Sequence, residues 1–198
     1  MGAAVVLVAL ATGRCESVSG AVLVAPAVWG GDTFNGIYRA VLWLGAHLLP
    51  GLRVTGRNLN IVVTDNRRVI EQLRADPLVI KETRIDALHG IVGLMDAALA
   101  AVPRTRVPLL VLYGARDEVI PDRSLCELST RLGDSATVRL YPDGYHLLLR
   151  DLQARVVWYD IAGWLAGGPA DPGGTAGSCP VPGREHTSAT QRSHDGKP

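Results

Sequence analysis

A chain of 198 residues is long enough for one domain with a modest core. With 47% hydrophobic and 20% charged residues it reads as an ordinary soluble globular protein. Its formal net charge of +1 leaves no electrostatic footprint for nucleic acid, and no basic helical stripe argues for stable membrane association.

The opening, MGAAVVLVALATG, is small and apolar throughout. It lacks the positive flank and cleavage site of a secretory signal and is too short to span a bilayer. Residues 2–12 are therefore expected to form a helix buried nearly all round, stopped at Gly13. Val18–Val28 is a continuous apolar run that breaks at Pro26, the pattern of a buried parallel strand. Ser17 and Ser19 precede that strand, on the wrong side of the unit for a nucleophile turn.

From Trp29 the pattern changes. Trp29, Phe34, Tyr38 and Trp43 lie among glycines and precede several helical segments. Asp65-Asn66 supplies a cap for a helix over Arg67–Ala75, and Asp76-Pro77 breaks it. Ile85, Leu88, Val92, Met95, Leu99 and Val102 recur at three- and four-residue steps up to Pro103, which predicts another helix. A helical insertion between two sheet strands has the shape of a lid or cap.

Val107–Tyr113 reads as the next strand. Asp122–Leu132 reads as a helix with Leu125, Leu128 and Leu132 on one side, and Thr137–Tyr141 as a short alternating strand. Asp151 is expected to cap a last helix through Leu165, packed by Leu152, Val156, Ile161 and Leu165. Residues 168–198 contain no Leu, Ile, Phe, Tyr or Trp, so the tail from 167 is expected to be disordered.

The chemistry concentrates after two strands. VPLLVLYGARDEVIP places Asp117 just past one, and LYPDGYH places His146 just past the next. An α/β enzyme delivers a carboxylate and an imidazole to the carboxyl edge of its sheet in this way. Such a pair implies a nucleophile earlier in the chain. Glu118 is the neighbour most easily confused with the acid, and Asp143 reads as a turn former with Gly144. Cys15, Cys126 and Cys179 are odd in number and form no CxxC pair, which points away from a disulfide framework or a zinc site and towards a reducing, cytoplasmic compartment. Cys126, beside the Leu125/Leu128 face, reads as core packing. His47, His89, His186 and His194 carry no metal spacing. Trp29, Trp43, Leu44, Leu48 and Leu49 either line an acyl-binding slot or hold the cap to the core.

The order strand, helical insertion, strand–Asp, helix, strand–His, helix resembles the second half of the α/β-hydrolase fold. VLVAPAVWG at 22–30, TDN at 64–66, ADPLV at 75–79, LYGARDEVIP at 112–121 and YPDGYHLLLRDL at 141–152 resemble the landmarks of one branch. That branch is the monoacylglycerol lipase and lysophospholipase group, the serine aminopeptidase S33-like hydrolases. The resemblance covers residues 1–165. It implies about three parallel strands with flanking helices, residues 1–30 and 104–166 forming a partial core and 31–103 a helical cap. It implies a small acyl-ester substrate, at most transient contact with a lipid surface, and neither metal nor organic cofactor. Asp117 and His146 become the acid and base; Trp29, Trp43 and Leu48 become substrate contacts.

The family's nucleophile turn commonly reads Gly-His-Ser-Met-Gly, and this chain opens Met1-Gly2-Ala3. No G-x-S-x-G occurs within the 198 residues. The resemblance therefore implies a serine immediately before Met1, a chain truncated at that point, and Met1 and Gly2 as a remnant of the turn and its oxyanion donors. An inactive fragment or binding module, or a relative with an aspartate nucleophile of the epoxide hydrolase or dehalogenase type, stays open beside it.

Overall fold

The structure, a computed structural model, describes residues 1–13, 15, 17–29, 36–56, 60–133, 136–167 and 175–176. The elements run α1 (Gly2–Ala11), β1 (Ala21–Val24), α2 (Gly36–Leu48), β2 (Arg53–Val54), α3 (Arg67–Ala75), β3 (Thr83–Arg84) and α4 (Ile85–Ala101). A 3-10 turn over Val102–Arg104 leads to β4 (Leu109–Gly114), α5 (Asp122–Leu132), β5 (Ala136–Tyr141), α6 (Ala154–Leu165) and β6 (Thr175–Ala176).

The main sheet has the order β1-β4-β5-β6. β1, β4 and β5 are parallel, with Ala21 opposite Leu109 and Leu109 opposite Ala136. Every residue of β4 is buried, as expected of a strand with neighbours on both edges and helices on both faces. Period-two alternation then divides its side chains. Leu109, Val111 and Tyr113 join Leu23, Ala4, Leu7, Met95, Leu99 and Leu128 on one face. Leu110 and Leu112 join Tyr141, Leu148 and Val157 on the other. Helices on both faces of a parallel sheet are the layered arrangement of a partial α/β-hydrolase.

Several elements depart from expectation. α1 buries only Ala4 and Leu7 and leaves Val5 and Val6 exposed, because α4 and the sheet cover one side of it. It does stop at Gly13, whose positive φ of 70° ends the helix at no steric cost. α4 straddles two environments: Ile85, Leu88 and Val92 are half-buried, while Met95 and Leu99, and Val102 in the turn that follows, enter the core. The expected cap, 31–103, thus contains a helix whose end belongs to the core. Ile85–Arg104 is long and apolar enough by composition to cross a bilayer, yet its second half is built into this core.

The region read as purely helical also contains an antiparallel pair, Arg53 opposite Arg84 and Val54 opposite Thr83. Strands of two residues carry no readable period. On α6 the inward residues are Ala154, Val157 and Asp160, and Leu152, Val156 and Leu165 are exposed. Of the tail, Thr175 and Ala176 pair antiparallel with Leu140 and Arg139, so two of its residues are a strand rather than disordered; residues 168–174 and 177–198 lie outside the described residues. Cys126 is half-buried and disulfide-bonded, which corrects its reading as core packing and the reading of the cysteines away from disulfides; Cys15 is free.

Candidate active site

β4 and β5 are adjacent and parallel, so the loops that leave their carboxyl ends start side by side. Two backbone bonds hold them together: Ala115 N–H donates to Tyr141 O (2.9 Å) and Arg116 N–H to Gly144 O (2.9 Å). The loops touch so closely that a Cβ on Gly114 would lie 2.3 Å from Gly144 O. Only glycine fits there. Arg116 adds an exposed ion pair to Asp143 and stands over the Tyr145 ring.

This contact brings Asp117 and His146 together. His146 Nδ1 lies 2.8 Å from Asp117 Oδ2. An ionised carboxylate only accepts, so Nδ1 carries the hydrogen and Nε2 is left as the basic nitrogen. The other carboxylate oxygen, Oδ1, accepts from the backbone N–H groups of Val119 (2.7 Å) and Ile120 (3.0 Å). With its side chain 2% exposed, Asp117 has both oxygens engaged and little freedom; His146, at 25%, retains a path to solvent. The charge of Asp117 is also felt on its own strand. Burial, and then the negative charge of Asp117, push the Tyr113 hydroxyl well above the usual phenol range. Tyr113 donates instead to Pro26 O at 2.6 Å, tying β4 to the end of β1.

The other residues singled out from the sequence do not gather at one point. Met1 and Gly2 begin α1, with Met1 O accepting from Ala4 N–H at 2.9 Å. Trp29 packs at the edge of the first core cluster. Trp43 lines a cavity of about 280 Å³ between α2 and α4, with Arg39, His89 and Asp96. Leu44, Leu48 and Leu49 are exposed at the end of α2. Among the described residues no three His, Cys, Asp or Glu side chains gather as metal ligands.

Sequence reasoning missed what holds the histidine loop. Asp151 is not a helix cap, since α6 starts at Ala154 after Gln153. It is a buried carboxylate, 5% exposed. Its Oδ1 accepts from Thr64 Oγ1–H (2.6 Å) and its Oδ2 from Tyr145 N–H (2.8 Å). Asn66 does cap α3, its Oδ1 accepting from Val69 N–H, but Asp65 reaches away to Leu152 N–H at 2.9 Å. Asp151, five positions past the histidine, and Thr64, in the TDN landmark, were both visible in the sequence; their pairing was not.

A family model described as serine aminopeptidase S33 matches residues 1–153. The chain belongs to the serine aminopeptidase S33 family. One relative, a monoacylglycerol lipase from Mycolicibacterium smegmatis (strain ATCC 700084 / mc(2)155), is 27% identical over 150 residues, covering 74% of this chain and 53% of that protein. Among solved structures, the monoacylglycerol lipase of Paleococcus ferrophilus superposes with a TM-score of 0.71 at 20% identity, over 83% of this chain and 65% of that one. A soluble variant of monoglyceride lipase from Saccharomyces cerevisiae gives 0.67 at 16% identity, over 83% and 58%. These structures share the α/β-hydrolase fold with this S33 chain, which spans about half the length of the matched M. smegmatis relative.

Proposed function

We propose that these residues are the acid–base half of a serine ester hydrolase acting on monoacylglycerol- or lysophospholipid-type acyl esters. The observation that carries this reading is the 2.8 Å contact between His146 Nδ1 and a carboxylate whose other oxygen is held by two backbone N–H groups. That arrangement fixes the imidazole tautomer and stabilises the imidazolium that forms when Nε2 takes a proton. On this reading, Nε2 removes the hydroxyl proton of a serine that precedes Met1. The serine oxygen attacks the ester carbonyl, and His146 returns the proton to the departing alcohol. Water then repeats the sequence to free the fatty acid, with His146 as base again. No metal or organic cofactor enters these steps. The S33 match supports a serine hydrolase, and the name of the M. smegmatis relative supports an acylglycerol substrate. The cavity beside Trp43 and the exposed Leu44 and Leu48 supply apolar surface for an acyl tail and for brief contact with a lipid interface.

Without a nucleophile, residual catalysis is weak even in an intact site. The 198-residue chain is therefore expected to turn over p-nitrophenyl butyrate and monoacylglycerol only at background rate. Turnover by this chain that His146→Ala abolishes would overturn that statement. A chain extended through the in-frame codons ahead of Met1 is expected to hydrolyse both esters. There Asp117→Asn should lower kcat by about 10⁴-fold, because the wrong tautomer then faces the serine. Codons that encode no Gly-His-Ser run, or an extended, folded chain with no turnover, would sink the hydrolase reading.

A further inference from the structure

The chain just ahead of α3 touches both loops of the candidate site. On the acid side, Val62 N–H donates to Glu118 Oε2 at 2.7 Å, one residue past Asp117. On the base side, Leu147 N–H donates to Val63 O at 2.9 Å, one residue past His146. Thr64, 1% exposed, donates its hydroxyl to Asp151, whose second oxygen holds the N–H of Tyr145, one residue before His146. Farther along the same loop, Asn66 Nδ2 donates to Arg150 O (3.0 Å) and Arg150 to Gln72 Oε1 (2.7 Å).

We propose that Val62–Thr64, acting with Asp151, is a positioning strap that fixes His146 against Asp117 and makes their alignment depend on how the region leading into α3 is seated. The proposal rests on the reading of Asp117 and His146 as an acid–base pair. The physical reason is the accounting of a buried carboxylate. Asp151 has one donor on each oxygen, and a buried acceptor deprived of its donor is costly. Removing the Thr64 hydroxyl leaves Oδ1 unsatisfied, so the carboxylate turns towards other donors and releases Tyr145. The backbone N–H groups on both sides of His146 depend on this strap, directly at Leu147 and through Asp151 at Tyr145. An anchor serving α3 alone has no need to grip either neighbour of the histidine. Thr64 and Asp151 touch no reacting atom, and their role is positional.

The test reads the ring proton of His146 in the whole 198-residue chain. A hydrogen held between Nδ1 and a carboxylate gives a low-field proton resonance whose exchange with water reports how often the pair opens; Asp117→Asn assigns it. Thr64→Val is expected to speed that exchange by about tenfold or more. Thr64→Ser, which restores the hydroxyl, should return the wild-type rate. Asp151→Asn, close in shape but without the second charged acceptor, should speed exchange as well and provides the same reading should Thr64→Val fail to fold. Wild-type exchange in a folded Thr64→Val or Asp151→Asn, with only the melting temperature lowered, would overturn the strap and leave the pair intact. Absence of the resonance in the wild-type chain would instead sink the pair itself.

Discussion

Gly114 ends the strand that carries the acid, and Gly144 sits two residues before the base. Neither has a positive φ, so conformational freedom is not what demands glycine. Contact is. A methyl group on Gly114 would meet Gly144 O at 2.3 Å, Gly144 C at 2.4 Å and Tyr145 O at 2.6 Å, all backbone atoms. One on Gly144 would meet the Leu148 Cδ2 methyl at 2.4 Å, with backbone no nearer than Gly114 Cα at 3.1 Å. A side-chain tip can move where a backbone carbonyl cannot. Gly114→Ala is thus expected to cost about 1–3 kcal/mol, as overpacking of a close contact does, and Gly144→Ala less. Urea unfolding of the two variants checks the order. Equal losses, or a Gly114→Ala variant as stable as wild type, would mean that the loops part without strain.

At the scale of elements, the sequence was most readable where one strong pattern had a single physical cause. The all-buried run of β4, the Leu125/Leu128/Leu132 face of α5 and the two polar breaks after β4 and β5 each follow from burial periodicity, and the structure places Asp117 and His146 in contact. Legibility failed where a side chain had two plausible partners. Asp151 before a helix reads as a cap, but a buried hydroxyl from a distant segment captures it. Asp160, a charged residue on α6 that the apolar pattern leaves unassigned, turns inward and accepts from Tyr141 Oη at 2.7 Å, joining that helix to β5. Burial and then the Asp160 bond push the Tyr141 phenol well above its usual range. Because the folded value is raised, this contribution is complete below the unfolded value of about 10 and is lost as pH rises above it. Tyr113 acts in the same direction. Stability is therefore expected to fall as pH rises above about 10. Tyr141→Phe should cost about 1–3 kcal/mol at neutral pH, by leaving the buried Asp160 without this donor, and should flatten the alkaline decline. Denaturant titrations at neutral and alkaline pH read both effects, and an unchanged alkaline slope would remove Tyr141 from the explanation.

For the whole molecule, the decisive feature is the edge of the sheet at β1. β5 has β4 on one side and β6 on the other, whereas β1 has β4 on one side and, among the described residues, no strand on the other. Its register tells which groups face outwards. Ala21 N–H donates to Pro108 O and Ala25 N–H to Leu112 O, so alternate residues point to β4, and the N–H and C=O of Val22 and Val24 point away from it. An apolar parallel strand with one unpaired edge is a template for another strand. The 198-residue chain is accordingly expected to associate with rising concentration through this edge. Proline at Val22 removes an outward N–H and no ladder bond, a setting in which an edge strand tolerates proline. Val22→Pro should therefore lower the association measured by sedimentation while leaving β4 and β5 paired, whereas Leu23→Pro, which takes an inward N–H, should unfold the sheet. If Val22→Pro associates as readily as the wild-type chain, contact between copies runs through another surface, with the exposed apolar residues of α2 the next to test.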